Sequence, residues 1–214
     1  AIDDPDLGQG LPPRRPVAID LPVGAYRLQG HITRVHADAE RWLLFDAFPG
    51  KKLAELDFRQ RVPLFIEWAL LRLAHPGQSV RLRLLTTPAP REGLRWDDHL
   101  NSIDVDACRD DVILRLSRLV AFWQRAEQQP LAYLPKTSWA AATHAAEGRR
   151  DAMRKAWAPG AFGIGERDHR PGYAQWLARG AEPFDPDSAD ATPLVDAALM
   201  LIDLIRFGDA GSAA

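Results

Sequence analysis

Across 214 residues there is a single cysteine, Cys108. A disulfide framework needs pairs and a cysteine zinc site needs several thiolates, so both are excluded. The lone thiol falls on the apolar stripe of an expected helix and reads as core filler; its isolation fits a reducing cytoplasm. Long apolar runs are missing too. The most apolar segment, Leu194 to Phe207, is interrupted by Asp196, Asp203 and Arg206, which makes it a core-packing helix rather than a membrane span. Neither sign of charge dominates: 27 Lys and Arg face 29 Asp and Glu, a net charge of −2. A domain that grips long nucleic acid unaided usually carries a marked basic excess, so DNA contact is expected to be local or shared with partner chains.

Nucleotide and metal signatures fail as well. "GAFGIGERDH" holds Gly160, Gly163 and Gly165 but lacks the Gly-Lys-Ser/Thr ending of a phosphate loop. "PKTS" has a Lys-Thr pair with no glycine run before it. Glu166 and His169 show the Glu-x-x-His spacing once, where a di-iron site needs it twice on facing helices. His31 and His36 are an odd number apart on a strand and so face opposite sides. No cofactor is expected in this domain.

What is present is globular: 46% hydrophobic and 26% charged residues, enough for one well-buried core or at most two small ones. Residues 1–15 read as a polar tail, 16–208 as one domain, and 209–214 as a second tail. The chain opens with Ala1 and a proline-containing stretch, and reads as an excised C-terminal piece of something longer. "VAIDLP", "YRLQGHITRV" and "RWLLFDAF" alternate with period two and are expected strands, with Pro22 and Gly24 marking the first turn. From Asp57 the period becomes helical, stopped by His75-Pro76-Gly77; Pro63 must lie in the first turn or kink the helix. "VRLRLLT" returns to alternation, with Arg81 and Arg83 on one face, and "LRWDDHL" can pair back on it. A long helix follows over 105–128, its stripe running through Val112, Leu116, Leu119 and Trp123. Then come a helix capped by Thr137 or Ser138, one over 149–157, one from Pro171 to Gly180, and a last one from Thr192-Pro193. Strands early and helices late suggest an α/β or α+β domain, with one mixed sheet flanked by helices and a helical C-terminal half.

Candidate chemistry centres on "LQGHITRV" and "RWLLFDAFPGKK", read as two strands of a hairpin. A family of magnesium-dependent nucleases places Gly-x-Ile-Asp-Arg at the end of one strand and Asp-x-Lys on the next. Here Thr33 stands for the first acid and Phe48 for the lysine; Asp46 alone is retained. A hard cation needs two or more oxygen ligands, and the lysine that would offset developing charge is absent. Lys51 and Lys52 lie past Pro49-Gly50 and would have to fold back. Arg149, Arg150, Arg154 and Lys155 form one basic cluster; Arg81, Arg83, Arg91 and Arg95, with Trp96, form another. Both are solvated faces or phosphate contacts, and Trp96 could stack on a base.

The order of segments resembles the C-terminal domain of RecC, the gamma subunit of the bacterial RecBCD complex (exodeoxyribonuclease V). The likeness runs from about Val17 to Phe207. It rests on "LQGHITRV", "PLFIEWALLRLA", "PLAYLPKTSWA", "KAWAPGAFGIGERDHRPGYAQWLAR" and "LMLIDLIRF". The resemblance implies a degenerate restriction-endonuclease-like (PD-(D/E)XK nuclease) fold without catalysis, in a subunit that holds RecB and RecD together and helps part duplex DNA. ATP and magnesium would serve other subunits. The turn from Thr86 to Trp96 is the expected strand-separating pin, and Tyr173 and Trp176 the expected partner contacts. Two alternatives stay open: an active metal-dependent exonuclease of the same fold, and a protein-interaction module without DNA contact.

Overall fold

The computed structural model describes residues 12–39, 42–87, 95–98, 105–128, 133–158, 163–169, 185 and 191–205. The chain forms two compact units, the first from Ala1–Leu56 and Gln60–Arg118, the second from Asp57–Arg59 and Leu119–Ile205. Arg91, Tyr173, Trp176, most of the expected pin and the helix expected from Pro171 lie outside the described residues.

In the first unit, β1 (Val17–Val23) and β2 (Tyr26–Ile32) form an antiparallel pair. Val17, Ile19, Val23 and Ile32 supply its buried face. The turn is Gly24-Ala25, with Pro22 inside β1 rather than in the turn. Gly24 has φ +60°, the left-handed region that a tight hairpin needs at this position. A Cβ there would also meet the Ser117 Oγ at 3.0 Å.

The second sheet has the order β3-β4-β5-β6. β3 (Val35–Ala37) and β4 (Trp42–Phe48) are antiparallel, with Val35 opposite Leu44. β4 runs parallel to β5 (Val80–Thr86), with Asp46 opposite Leu84 and Phe48 opposite Thr86. Parallel neighbours need a long crossover, here α1 (Phe58–Ala74), whose Leu64, Phe65, Trp68, Ala69 and Leu71 are buried. Pro63 sits inside α1, beyond its first turn. β6 (Arg95–Asp98) pairs back on β5.

The expected single mixed sheet is thus two sheets, and the expected hairpin is divided between them. The stretch from Leu28 to Val35 changes sheets at Thr33-Arg34. Ile32 and Val35 are both buried, yet they are three apart, so the two-residue alternation cannot run through both on one strand. The sheet carrying Asp46 is mixed, as expected. Its β5 is an interior strand, with Val80, Leu82, Leu84 and Thr86 buried on one face and Arg83, between half-buried Arg81 and Leu85, buried on the other. Arg83, expected on an outward face, is accordingly only 7% exposed.

α2 (Val105–Gln128) has the expected bounds. Val112, Leu116 and Leu119 are buried, but Trp123, on the same stripe, is 57% exposed; the apolar stripe outruns its packing. In the second unit α3 (Pro135–Thr143) packs against α4 (Ala146–Trp157) and α6 (Thr192–Leu204). Ala140, Ala141 and Ala198 keep these helices close, and Met153, Trp157, Leu194, Leu201 and Leu204 fill the rest. Phe58, from the first turn of α1, packs edge-on against Trp139 at 5.2 Å. Asp57 accepts from the Arg59 backbone N–H (2.9 Å) and so caps α1.

Neither Thr137 nor Ser138 is the N-cap of α3, although Ser138 Oγ accepts from the Leu134 N–H at 3.2 Å. Proline supplies its first position and Leu134 its N-cap, with no side-chain cap of its own. The capping oxygen comes from Glu166, at the start of the short turn α5 (Glu166–His169). Its carboxylate accepts from the backbone N–H groups of Lys136 (3.1 Å) and Thr137 (2.8 Å). At the other end of α3, Thr143 Oγ1 donates to the Trp139 carbonyl, His144 Nδ1 lies 2.9 Å from the Ala140 carbonyl, and Arg149 Nε donates to the Ala141 carbonyl. The Ala140 and Ala141 carbonyls are among the orphans every helix end must satisfy; the Thr143 bond is a side-chain bond back to the i−4 carbonyl.

Candidate functional site

The strand β4 presents Asp46 and Phe48 two residues apart, hence on one face. Phe48 can neither donate a hydrogen bond nor carry charge. Thr33 lies in the link between β2 and β3, exposed, and its carbonyl accepts from Arg14 Nε at 2.5 Å. The residue in the first acid's place is therefore outside both β2 and β3.

Two residues that sequence reasoning missed complete the cluster. Arg34, next to Thr33, donates through Nη1 to Asp46 Oδ2. It also grips Glu67 of α1 with a fork, Nε to Oε2 at 3.0 Å and Nη2 to Oε1 at 2.7 Å. The other Asp46 oxygen accepts from the Ala47 N–H at 2.8 Å. All three side chains are partly buried. Burial alone would pull the Arg34 guanidinium down, but its hydrogen bonds and charge contacts with Glu67 and Asp46 outweigh this and hold it above its usual range. The signal for Arg34 was in the quoted motif, one residue past Thr33. Glu67 sits among apolar residues of a crossover helix, and only the tertiary structure brings it to β4.

The magnesium implied by the nuclease resemblance does not fit this donor set. Two carboxylates converge, but a guanidinium already bridges them, and the neighbouring residue in the acid's place is a neutral threonine. Among the described residues, no group of three or more His, Cys, Asp or Glu side chains is placed to hold a metal. After β4 the chain turns, the Lys51 N–H donating to the Phe48 carbonyl and the Thr87 N–H to the Lys51 carbonyl, while the Lys52 N–H donates to Glu55.

The other named residues are scattered. Arg81 is half-buried on β5 and Arg83 buried, which removes Arg83 from any surface. Arg95 and Trp96 lie on β6 opposite Thr86 and Leu85. On α4, Arg149 is committed to the end of α3, and Arg154 pairs with Asp151 at 2.8 Å. Arg150 and Lys155 are exposed. Glu166, considered as a metal ligand from its spacing to His169, is spent on the α3 N-terminus.

The fold is mixed α/β, and in it the β4 carboxylate of Asp46 is tied into a charge network with Arg34 and Glu67. The chain belongs to the family described as the RecC C-terminal domain, which matches residues 6–146. That membership sets it in the context of the RecBCD complex and DNA repair. The matched span covers β1 to β6 and ends at the first residue of α4; "KAWAPGAFGIGERDHRPGYAQWLAR" and "LMLIDLIRF" lie beyond it. No curated protein matches the chain. No helix among the described residues is long and apolar enough to cross a membrane.

Proposed function

We propose that this domain is a catalytically inactive, nuclease-like scaffold of the RecBCD helicase-nuclease, acting in double-strand-break repair and recombination in the cytoplasm. Its β3-β4 hairpin, parallel β5 and crossover helix α1 stand as a degenerate PD-(D/E)XK core within a single domain over 16–208. The observation that carries the reading is Arg34 bound to Asp46 and Glu67. A nuclease needs its acids to hold a cation that activates water; here they hold an arginine, and Phe48 stands where a lysine would assist.

On this reading the domain contacts RecB and RecD and helps separate strands of an incoming duplex. The turn from Thr86 to Trp96 serves as the pin. Arg81, Arg91, Arg95 and Trp96, with Arg150, Arg154 and Lys155 on α4, provide local DNA contacts. Tyr173 and Trp176 contribute to the partner interface, since aromatic side chains often dominate such energies. The balanced charge supports a domain that binds DNA with partners rather than alone.

The test is incubation of the purified chain with linear duplex DNA and magnesium or manganese. No cleavage is expected. Metal-dependent cleavage that disappears in Asp46→Ala would overturn the reading.

A further inference from the structure

We propose that Arg34 is a chain-borne cation occupying a two-carboxylate locus, and that it closes this locus to divalent metal ions. The two acids come from different elements, Asp46 from β4 and Glu67 from the crossover helix α1. An ion that binds both must bridge them, and the Arg34 guanidinium does so. Its planar fork satisfies both oxygens of Glu67 while Nη1 reaches Asp46 Oδ2, and Ala47 N–H takes Asp46 Oδ1. Each of the four carboxylate oxygens thus has a donor.

A divalent ion ligated by these oxygens would share them with a positive charge in direct contact. Arginine does not lose its proton within the pH range of a folded protein, so raising the pH does not clear the locus. A lysine would be a compact point charge; the arginine fork matches carboxylate geometry in two directions at once. The chain has exchanged an exchangeable cation for a covalent one. An ordinary structural ion pair predicts only lost stability when Arg34 is removed. A locus shaped around a cation predicts that a free cation takes its place.

The inference draws on the non-cleaving, nuclease-like reading for the kind of ion considered, and its test does not read cleavage. The full chain is titrated with Mn²⁺, bound ion being followed by electron paramagnetic resonance and the fold by circular dichroism. Wild type and Arg34→Lys, which keeps the charge, are expected at background. Arg34→Gln is expected to bind one Mn²⁺ at least about tenfold more tightly than wild type, through hard oxygen ligands. Arg34→Gln/Glu67→Gln is expected to return to background. If Arg34→Gln is unfolded alone, excess Mn²⁺ is expected to restore its helical signal. The proposal is overturned if folded Arg34→Gln stays at background, if the unfolded variant is not rescued, or if wild type binds Mn²⁺ that Asp46→Asn abolishes. Failure on any of these counts leaves the absence of cleavage standing. Cleavage by wild type would remove the functional reading while leaving the Mn²⁺ comparison to be judged by itself.

Discussion

Replacing Glu166 by alanine should be one of the most damaging single changes outside the apolar core. The side chain is 3% exposed, and its two oxygens accept from the backbone N–H groups of Lys136 and Thr137. Leu134, the N-cap of α3, offers no side-chain cap. Losing an ordinary cap costs about 1–2 kcal/mol. Here Thr137 is fully buried, so water does not replace the lost acceptor, and an orphaned buried N–H adds roughly 1–3 kcal/mol. The negative charge also faces the positive end of the α3 dipole, worth about 0.5–1 kcal/mol. Allowing for overlap among these terms, Glu166→Ala should cost about 3 kcal/mol. Glu166→Gln keeps one acceptor oxygen and should cost about 1 kcal/mol. Urea unfolding followed by circular dichroism measures both. A cost for alanine below about 1 kcal/mol, or equal costs for the two variants, would refute the capping argument.

Gly24→Ala should destabilise by about 1–2 kcal/mol, because alanine resists φ +60° and its Cβ would crowd Ser117. Adding Ser117→Ala should recover only part of the loss, and full recovery would show that the backbone carries no strain. Trp123→Ala should change stability by no more than about 0.5 kcal/mol, since the side chain is largely exposed; a loss near the ~3–5 kcal/mol of a buried aromatic would place it in a core. Arg34→Ala without added metal should cost about 2–3 kcal/mol, between the values for exposed and buried pairs, because two partly buried acids lose their common partner. Thermal melts compared across salt concentrations would check it.

Local periodicity made most elements legible. α2 is bounded by a sustained 3.6-residue stripe, and β5 and β6 by alternation and a polar turn. The division of "LQGHITRV" was legible too, in the parity change between Ile32 and Val35. The cap of α3 was not legible. Thr137 and Ser138 have good capping chemistry, but Pro135 starts the helix earlier and leaves them inside it, while the real cap lies about thirty residues later. The missing acid and lysine could be read from Thr33 and Phe48 alone. The cation could not, because Glu67 meets Arg34 only after a parallel crossover brings α1 to the sheet.

The contact between Phe58 and Trp139 bears on the order of assembly during synthesis. Phe58 opens α1, and its aromatic partner emerges from the ribosome about eighty residues later. Closing so long a loop is entropically costly and slow compared with hairpin formation. The β1-β2 pair and the β3-β4 hairpin can form as soon as they are made, whereas Asp57, Phe58 and Arg59 must wait for α3. Until then Phe58 remains an apolar side chain without its native cover, and the growing chain carries that liability through the synthesis of β5, β6 and α2.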